Sequence, residues 1–249
     1  FRLEEHLARL QDSLDGIRLA NPHTRAEWSG LVARIVADCA WPDVGVYLQV
    51  TRGPGPRDHA FPREIRPTVF LMPLELTAPP AASVENGVAA ITAEDTRWSR
   101  CDLKTTSLLA NVLLRQLSVD AGCAETILVR DGQLMEGSAS SVFVVHDGVI
   151  LAPPKTRLIL PGITYDVALE LAEREGFPHQ VRPIAERELR AADEIWITSS
   201  TKEILAVTTL DGQPVGDGKP GPLYRRMIAL YQAYKHTVMR GKGAPEKMP

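Results

Sequence analysis

The sequence Cys101-Asp102-Leu103-Lys104-Thr105-Thr106 contains the only lysine among the first 154 residues, although the same residues include 13 arginines. A desolvated lysine amine can lose its proton and attack a carbonyl carbon, whereas an arginine stays charged at any accessible pH. We therefore predict that Lys104 forms a Schiff base. The alternative is an ordinary solvated lysine between a strand and a helix.

The residues on either side of Lys104 predict a mixture of strands and helices. Asp131-Gly132 and Asp147-Gly148 are typical of hairpin turns, and the first lies between two apolar runs, 126–130 and 141–145. The tail from Gly241 is predicted to be disordered. Strands are predicted at Val44–Val50, Thr68–Met72, Val88–Thr92, Thr126–Arg130, Ser141–Val145, Val149–Leu151, Glu194–Thr198 and Ala206–Leu210, and helices at Leu3–Ile17, about Arg25–Asp38, near Ser107–Val119, Thr164–Arg174 and about Leu223–His236.

This order of elements predicts an α+β protein with two lobes. Proline and small residues in Leu76–Ser83 are typical of a linker. We expect a small N-terminal α/β domain at 1–77, a linker at 78–83 and a larger β-rich, cofactor-binding domain at 84–249. Because the chain begins with Phe1 inside a helical pattern and without methionine, we expect part of the natural N-terminus to be missing from it.

The composition of the chain indicates which kinds of molecule it binds. The 249 residues carry a net charge of -3, so nothing in the charge favours nucleic acid or an anionic membrane. No apolar run approaches the roughly 18 residues of a membrane span. Three cysteines without metal-ligand spacing, and no visible export signal, favour a cytoplasmic protein without a metal site. We expect a small-molecule substrate.

Two further stretches could bind a cofactor. Glu136 precedes the small residues Gly137-Ser138-Ala139-Ser140-Ser141, and a carboxylate there could pair with a ring nitrogen or lie in a solvated turn. Leu160-Pro161-Gly162-Ile163-Thr164 leads into a predicted helix, whose first N–H groups favour a phosphate. Simple capping is the alternative for this second stretch.

Two loops add candidates for anion binding. The hydroxyl cluster Thr198-Ser199-Ser200-Thr201 ends a predicted strand and suits phosphate oxygens, but it also suits a plain turn. The stretch 52–59 holds Arg52, Arg57 and His59 on one proline-containing loop. This loop is either a trap for a carboxylate or an exposed surface loop.

These motifs, in this order, resemble the pyridoxal-phosphate-dependent transaminases of fold type IV, and within them the D-amino-acid transaminases. The resemblance begins at Phe1–Leu10 and covers nearly the whole chain. It rests further on Pro56–Pro62, Trp98–Lys104, Glu136–Ser138, Leu160–Thr164 and Thr198–Glu203. It implies an amino transfer from a D-amino acid to a 2-oxo acid by ping-pong chemistry, with pyridoxal 5'-phosphate as cofactor and a homodimer as the assembly.

The resemblance also implies a role for each candidate residue. Lys104 would hold the cofactor as a Schiff base and catalyse the 1,3-proton transfer, while Glu136 would face the pyridine nitrogen. Arg57 and His59 would bind the substrate α-carboxylate, and their Arg-x-His pattern favours D-amino acids. The cofactor phosphate would be bound by Arg9, Ile163, Thr164, Ser199 and Ser200.

Two departures and three alternatives accompany this interpretation. Ala139 replaces a serine that the family pattern leads us to expect, and the usual N-terminal stretch is not in the sequence. Within the same fold, a branched-chain L-amino-acid transaminase or a 4-amino-4-deoxychorismate lyase would use the same lysine. A non-catalytic relative would keep the fold as a binding or scaffolding protein.

Overall fold

The structure is a computed structural model that describes residues 1–241. The chain divides into two compact units at Ala78 and Pro79. Leu3–Ala78 form the small unit, and Phe1–Arg2 belong with the residues from Pro79 onward to the large unit. The predicted disorder of the tail falls on residues 242–249, which lie outside the described part.

The small unit contains two helices and one pair of strands. Helices α1 (Leu3–Gly16) and α2 (Arg25–Ala37) precede strands β1 (Val44–Thr51) and β2 (Thr68–Glu75). The strands are antiparallel along their whole length, with Val44 opposite Glu75. A capping box at Thr24 and Glu27 starts α2, since each side chain binds the other residue's backbone N–H. The four predicted elements are confirmed, and β2 continues past Met72 to Glu75.

The described part of the large unit is built on a nine-stranded mixed sheet. Its strands are β3 (Val88–Glu94), β4 (Glu125–Arg130), β5 (Gln133–Gly137), β6 (Ser141–His146), β7 (Val149–Ala152), β8 (His179–Val181), β9 (Glu194–Ser199), β10 (Glu203–Leu210) and β11 (Gln213–Pro214). They lie in the order β5-β4-β3-β10-β9-β6-β7-β8, and β11 pairs with β10. Its helices are α3 (Ala81–Asn86), α4 (Leu109–Asp120), α5 (Ile163–Arg174), α6 (Glu186–Arg190) and α7 (Pro222–Tyr234), followed by a π-helical turn at Lys235–Met239. This content confirms the predicted α+β class.

The first predicted hairpin was assigned the wrong second strand. Asp131 and Gly132 join β4 to β5, and both have the positive φ that a tight hairpin turn requires. Strand β6, which we expected opposite β4, pairs with β7 and β9 instead. The short and partly polar β5 has no clear alternation in sequence, so it was missed. The second hairpin, at Asp147-Gly148, is confirmed between β6 and β7.

Strand β5 carries one residue more than β4 between two paired positions. Val129 pairs with Leu134 and Ile127 pairs with Gly137, so Met135 and Glu136 together lie opposite Leu128. This is a β-bulge, which bends a strand and changes the direction of a side chain.

Apolar side chains cover both faces of the sheet in the large unit. Along β6, Phe143 and Val145 belong to one buried cluster, and Val142 and Val144 belong to the other. The first cluster includes residues of α5 and α7, and the second includes Leu189 of α6. Burial on both faces explains why β6, β9 and β10 are almost continuously apolar.

The region predicted as a linker is partly helical. Helix α3 begins at Ala81, inside the predicted linker 78–83. Pro80 precedes it with backbone angles outside the helical range. The proposed domain limits stay a prediction. Three short elements besides β5 and α3 were also missed, namely β8, α6 and β11.

Candidate active site

Glu136 lies at the end of β5 and is buried. Its carboxylate accepts a hydrogen bond from the backbone N–H of Leu160, 3.1 Å from each oxygen. It also accepts one from Arg97, at 2.5 Å. Burial raises the pKa of Glu136 to about 7, against the opposing effects of Arg97 and the Leu160 amide. The structure therefore holds a carboxyl group in the interior in a fixed orientation.

Arg97 and Asp95 form a buried network behind Glu136 that sequence reasoning missed. The Nε atom of Arg97 donates to Asp95 at 2.8 Å, and Arg130 lies 3.1 Å from the same carboxylate. Burial opposes ionisation of Asp95, but Arg97 outweighs it and lowers the pKa of Asp95. A pair of opposite charges directly after the apolar strand β3 was the signal in the sequence.

The start of α5 offers backbone N–H groups to an anion. Gly162 is the N-cap, and no side chain caps this end of the helix. The first amides of a helix have no partner within it, so those of Ile163 and Thr164 can bind an acceptor. A Cβ on Gly162 would lie 2.7 Å from Ser141 Oγ, which places that hydroxyl at the same helix start.

The end of β9 adjoins this helix start. Thr198 lies opposite Ser141 in the pairing of β9 with β6. The buried Thr198 Oγ1 has no hydrogen-bond partner among residues 1–241. Ser199 Oγ accepts from the Lys202 amide at 3.0 Å, and Ser200 is exposed. Free amides, a hydroxyl at the helix start and an unpaired buried hydroxyl together suit a group with several acceptor oxygens, such as a phosphate.

The serines after Glu136 bind another buried acid. The hydroxyls of Ser138 and Ser140 donate to Glu125, a fully buried carboxylate at the start of β4. Ala139, between them, is exposed. The structure gives no indication that the missing hydroxyl at this position alters the site.

Lys104 lies in the irregular segment between β3 and α4. Its side chain is exposed, while those of Cys101 and Leu103 are buried and fix the backbone around it. Two hydrogen bonds connect this region to the surroundings of Glu136. The Asp102 amide donates to Arg157 O at 3.3 Å, and the Asn111 side chain on α4 donates to Ser138 O at 2.9 Å.

Three candidates belong to the small unit. Arg9 is buried on α1, with one nitrogen 3.3 Å from His6 Nδ1. Arg57 and His59 are exposed on the loop after β1. Their binding roles stay predictions.

Arg52, on the same loop, has a structural role. It donates to Ile17 O and Arg18 O, and its guanidinium stacks on Phe61 with its central carbon 3.6 Å from the ring centroid. Arg52 therefore fixes the base of the loop to the residues after α1, while Arg57 stays exposed further along the loop.

Comparison with known proteins identifies the family. The family model for class IV amino-transferases matches residues 1–210. The D-alanine aminotransferase of Bacillus licheniformis is 41% identical over 234 residues, which cover 93% of this chain and 82% of that protein. That of Staphylococcus epidermidis is 36% identical over 235 residues, covering 94% of this chain and 83% of that protein.

Solved structures have the same fold. The branched-chain amino acid aminotransferase of Escherichia coli matches with a TM-score of 0.87 at 24% identity, over 99% of this chain and 82% of that one. A second branched-chain amino acid aminotransferase, complexed with N-(5'-phosphopyridoxyl)-L-glutamate, matches with a TM-score of 0.86 at 25% identity, over 96% of this chain and 80% of that one. The predicted type IV fold is confirmed. With a buried acid, an uncapped helix start and a family model that spans both units, this chain belongs to the class IV aminotransferases.

Proposed function

We propose that this protein transfers the amino group of a D-amino acid to a 2-oxo acid, with pyridoxal 5'-phosphate as cofactor. The observation that carries the proposal is the 41% identity to a D-alanine aminotransferase over 93% of the chain. Pyruvate and 2-oxoglutarate are the acceptors to test first, because both are common small 2-oxo acids.

The large unit fits this cofactor at two points. The α5 amides of Ile163 and Thr164 and the hydroxyls at the end of β9 suit its phosphate, since they include a buried hydroxyl that lacks a partner. Glu136 suits its pyridine nitrogen, since it is a buried acidic side chain that Arg97 and Leu160 hold in place. The family resemblance assigns Arg9, Ser199 and Ser200 to the same phosphate.

The cofactor, when bound, takes up the amino group and draws electrons from the substrate α-carbon. The protein supplies the proton transfers and the binding energy. The Lys104 amine would hold the cofactor, and it would move the proton at the substrate α-carbon. Glu136 keeps a negative charge or a shared proton beside the ring nitrogen. Arg57 and His59 bind the α-carboxylate through a bidentate guanidinium and a ring N–H.

A branched-chain L-amino-acid transaminase is the second candidate. It is favoured by the branched-chain enzyme with the phosphopyridoxyl-glutamate ligand, which has a TM-score of 0.86 and 25% identity. Purified protein with added cofactor should be assayed with D-alanine and L-leucine as donors and 2-oxoglutarate as acceptor. Faster glutamate formation from D-alanine supports our proposal. Turnover of L-leucine alone would overturn it in favour of the branched-chain activity.

We also propose a homodimer in the cytoplasm. Helix α4 presents an apolar surface to solvent, because Leu109, Val112 and Leu113 are 74%, 60% and 61% exposed. Such a continuous apolar surface marks an interaction site, and a second copy of the chain is the partner that the family resemblance implies. The three cysteines are free thiols, which supports a reducing compartment. Light scattering of the wild type and of Leu113→Glu tests the dimer, since the charge should produce monomers.

A further inference from the structure

Glu125 is a buried carboxylate that binds side chains from two separate loops. Its side chain is fully buried at the start of β4. From residues 138–140 it receives the hydroxyls of Ser138 and Ser140, and from residues 199–202 it receives Lys202 Nζ at 2.6 Å. One carboxylate thus contacts the segment that follows Glu136 and the turn that contains Ser199 and Ser200.

Lys202 completes the connection in the second loop. Its backbone N–H donates to Ser199 Oγ at 3.0 Å, while its ammonium group reaches Glu125. The Lys202 side chain is only 23% exposed. Loss of this ammonium group would leave a buried carboxylate with neutral donors alone, which is costly in a protein interior. Because Lys202 and Glu125 hold each other in place, residues 138–140 and residues 199–202 should move together.

Gly137 shows how closely Glu125 is packed. A Cβ at Gly137 would lie 3.0 Å from Glu125 Cδ and closer still to Ser140 Oγ. A side chain at position 137 would displace Ser140 Oγ and crowd the Glu125 carboxyl group. Burial opposes ionisation of Glu125, but Lys202 and the two hydroxyls outweigh it and lower the pKa of this carboxyl.

We infer that Glu125 and Lys202 are positioning residues that join residues 137–140 to residues 199–202 and so set the affinity of the site for its phosphate-bearing cofactor. This inference rests on the proposed function for the identity of that cofactor. The joining of the two loops rests on the contacts alone. Neither side chain touches the reacting atoms in this proposal.

The first test measures the connection without any cofactor. In Lys202→Met, hydrogen exchange followed by mass spectrometry should become about tenfold faster in residues 199–202 and also in residues 137–140. Faster exchange in 199–202 alone would overturn the inference. Lys235→Met is the matched control, because Lys235 pairs with Glu203 and these side chains are 21% and 10% exposed. It should leave residues 137–140 unchanged.

The second test measures cofactor affinity by absorbance titration of the cofactor-free protein. Lys202→Met should raise the dissociation constant of pyridoxal 5'-phosphate about tenfold, a size expected for directly coupled side chains. Lys235→Met should change it little, and Lys202→Arg should restore most of the loss. The double variant Glu125→Gln/Lys202→Met should lose less binding free energy for the cofactor than the sum of the losses in the two single variants. Unchanged affinity in a folded Lys202→Met would overturn the inference.

Two outcomes separate this inference from the proposed function. If the wild type binds no pyridoxal 5'-phosphate, the proposed function fails, and the claim on cofactor affinity fails with it. The exchange measurement then decides whether the loops are joined. If Lys202→Met does not fold, Ser140→Ala replaces it, because loss of this hydroxyl should speed exchange in residues 199–202 on the other loop. No change there would overturn the connection.

Discussion

Arg97 donates a hydrogen bond to Glu136 inside the large unit, where the two side chains are only 3% and 7% exposed. Asp95 binds the same guanidinium from the other side and is fully buried. One guanidinium therefore binds two interior acidic side chains. Both the stability of the large unit and the ionisation of its candidate ring-binding acid depend on Arg97.

Replacement of Arg97 by methionine should destabilise the protein strongly. The change leaves Asp95 and Glu136 buried with one guanidinium fewer, and removal of one partner from a buried ion pair costs about 3–5 kcal/mol. Urea unfolding measures this loss. Arg100→Met is the control, because the Arg100 pair with Asp102 is partly exposed and should contribute little. Equal losses in the two variants would show that the buried network is not a major source of stability.

The stability of the cofactor-free protein should depend on pH through Glu136. Burial raises the folded-state pKa from the ordinary 4.5 to about 7. The folded state then binds more protons than the unfolded state between these values, so the stabilisation is complete below pH 4.5 and is lost as pH rises towards 7. The unfolding free energy of the wild type should therefore fall relative to that of Glu136→Gln across this interval. Glu173→Gln changes an exposed residue, so its unfolding free energy should show the same pH dependence as that of the wild type.

Lys104→Ala should abolish transamination while the protein stays folded. The nucleophile and the group that moves the proton are lost together, so turnover should drop by several orders of magnitude. Lys104→Arg should be no better, because arginine does not lose its proton. Lys219→Ala, an exposed lysine of the large unit, is the control. A tenth of wild-type turnover in Lys104→Ala would rule out its assigned role.

Glu136→Gln should slow turnover with little loss of bound cofactor. The amide keeps an acceptor for the Leu160 N–H but removes the charge beside the proposed ring nitrogen. Steady-state kinetics should show a lower kcat, and absorbance of the bound cofactor should show near-normal occupancy. Wild-type kcat in this variant would mean that the carboxylate has only a structural role.

Arg57→Ala should lower kcat/KM for every amino acid donor. Loss of one partner of a desolvated charge pair predicts a decrease of about 30-fold or more. The effect should not depend on the donor side chain, and Arg57→Lys should recover only part because the bidentate geometry is lost. Arg63→Ala, exposed on the same loop, is the matched control. Normal reaction of D-alanine and D-glutamate with Arg57→Ala would exclude this loop as the carboxylate site.

Sequence reasoning succeeded where the signal is local. The apolar alternation of β1 and the spacing in α1 predicted their positions to within a residue or so, because strand and helix periods appear directly in sequence. The partner of β4 was wrong, since pairing depends on the length of β5 and on contacts far away in the chain. Glu136 was proposed because its carboxylate directly precedes a run of small residues.

The contacts around the candidate residues could not be predicted from the sequence. Nothing local indicates that Ser138 and Ser140 donate to Glu125, because that carboxylate lies more than ten residues away, on another strand. In the sequence, Arg97 looks like an ordinary exposed arginine. Its charge matters for the buried acids only because the rest of the fold buries it. Candidate residues could thus be proposed from residue type and order in the chain, and their supporting contacts could not.

The extra residue in β5 gives the hairpin an exact length requirement. Met135 and Glu136 share one position opposite Leu128, so Glu136 is carried by backbone outside the regular ladder of hydrogen bonds. A deletion at Met135 would restore a regular ladder and reverse the face on which the residues before it lie. The number of residues between Gly132 and Gly137 is therefore as much a part of the site as the carboxylate itself. Variation by insertion or deletion should be excluded from this segment even where substitutions are accepted.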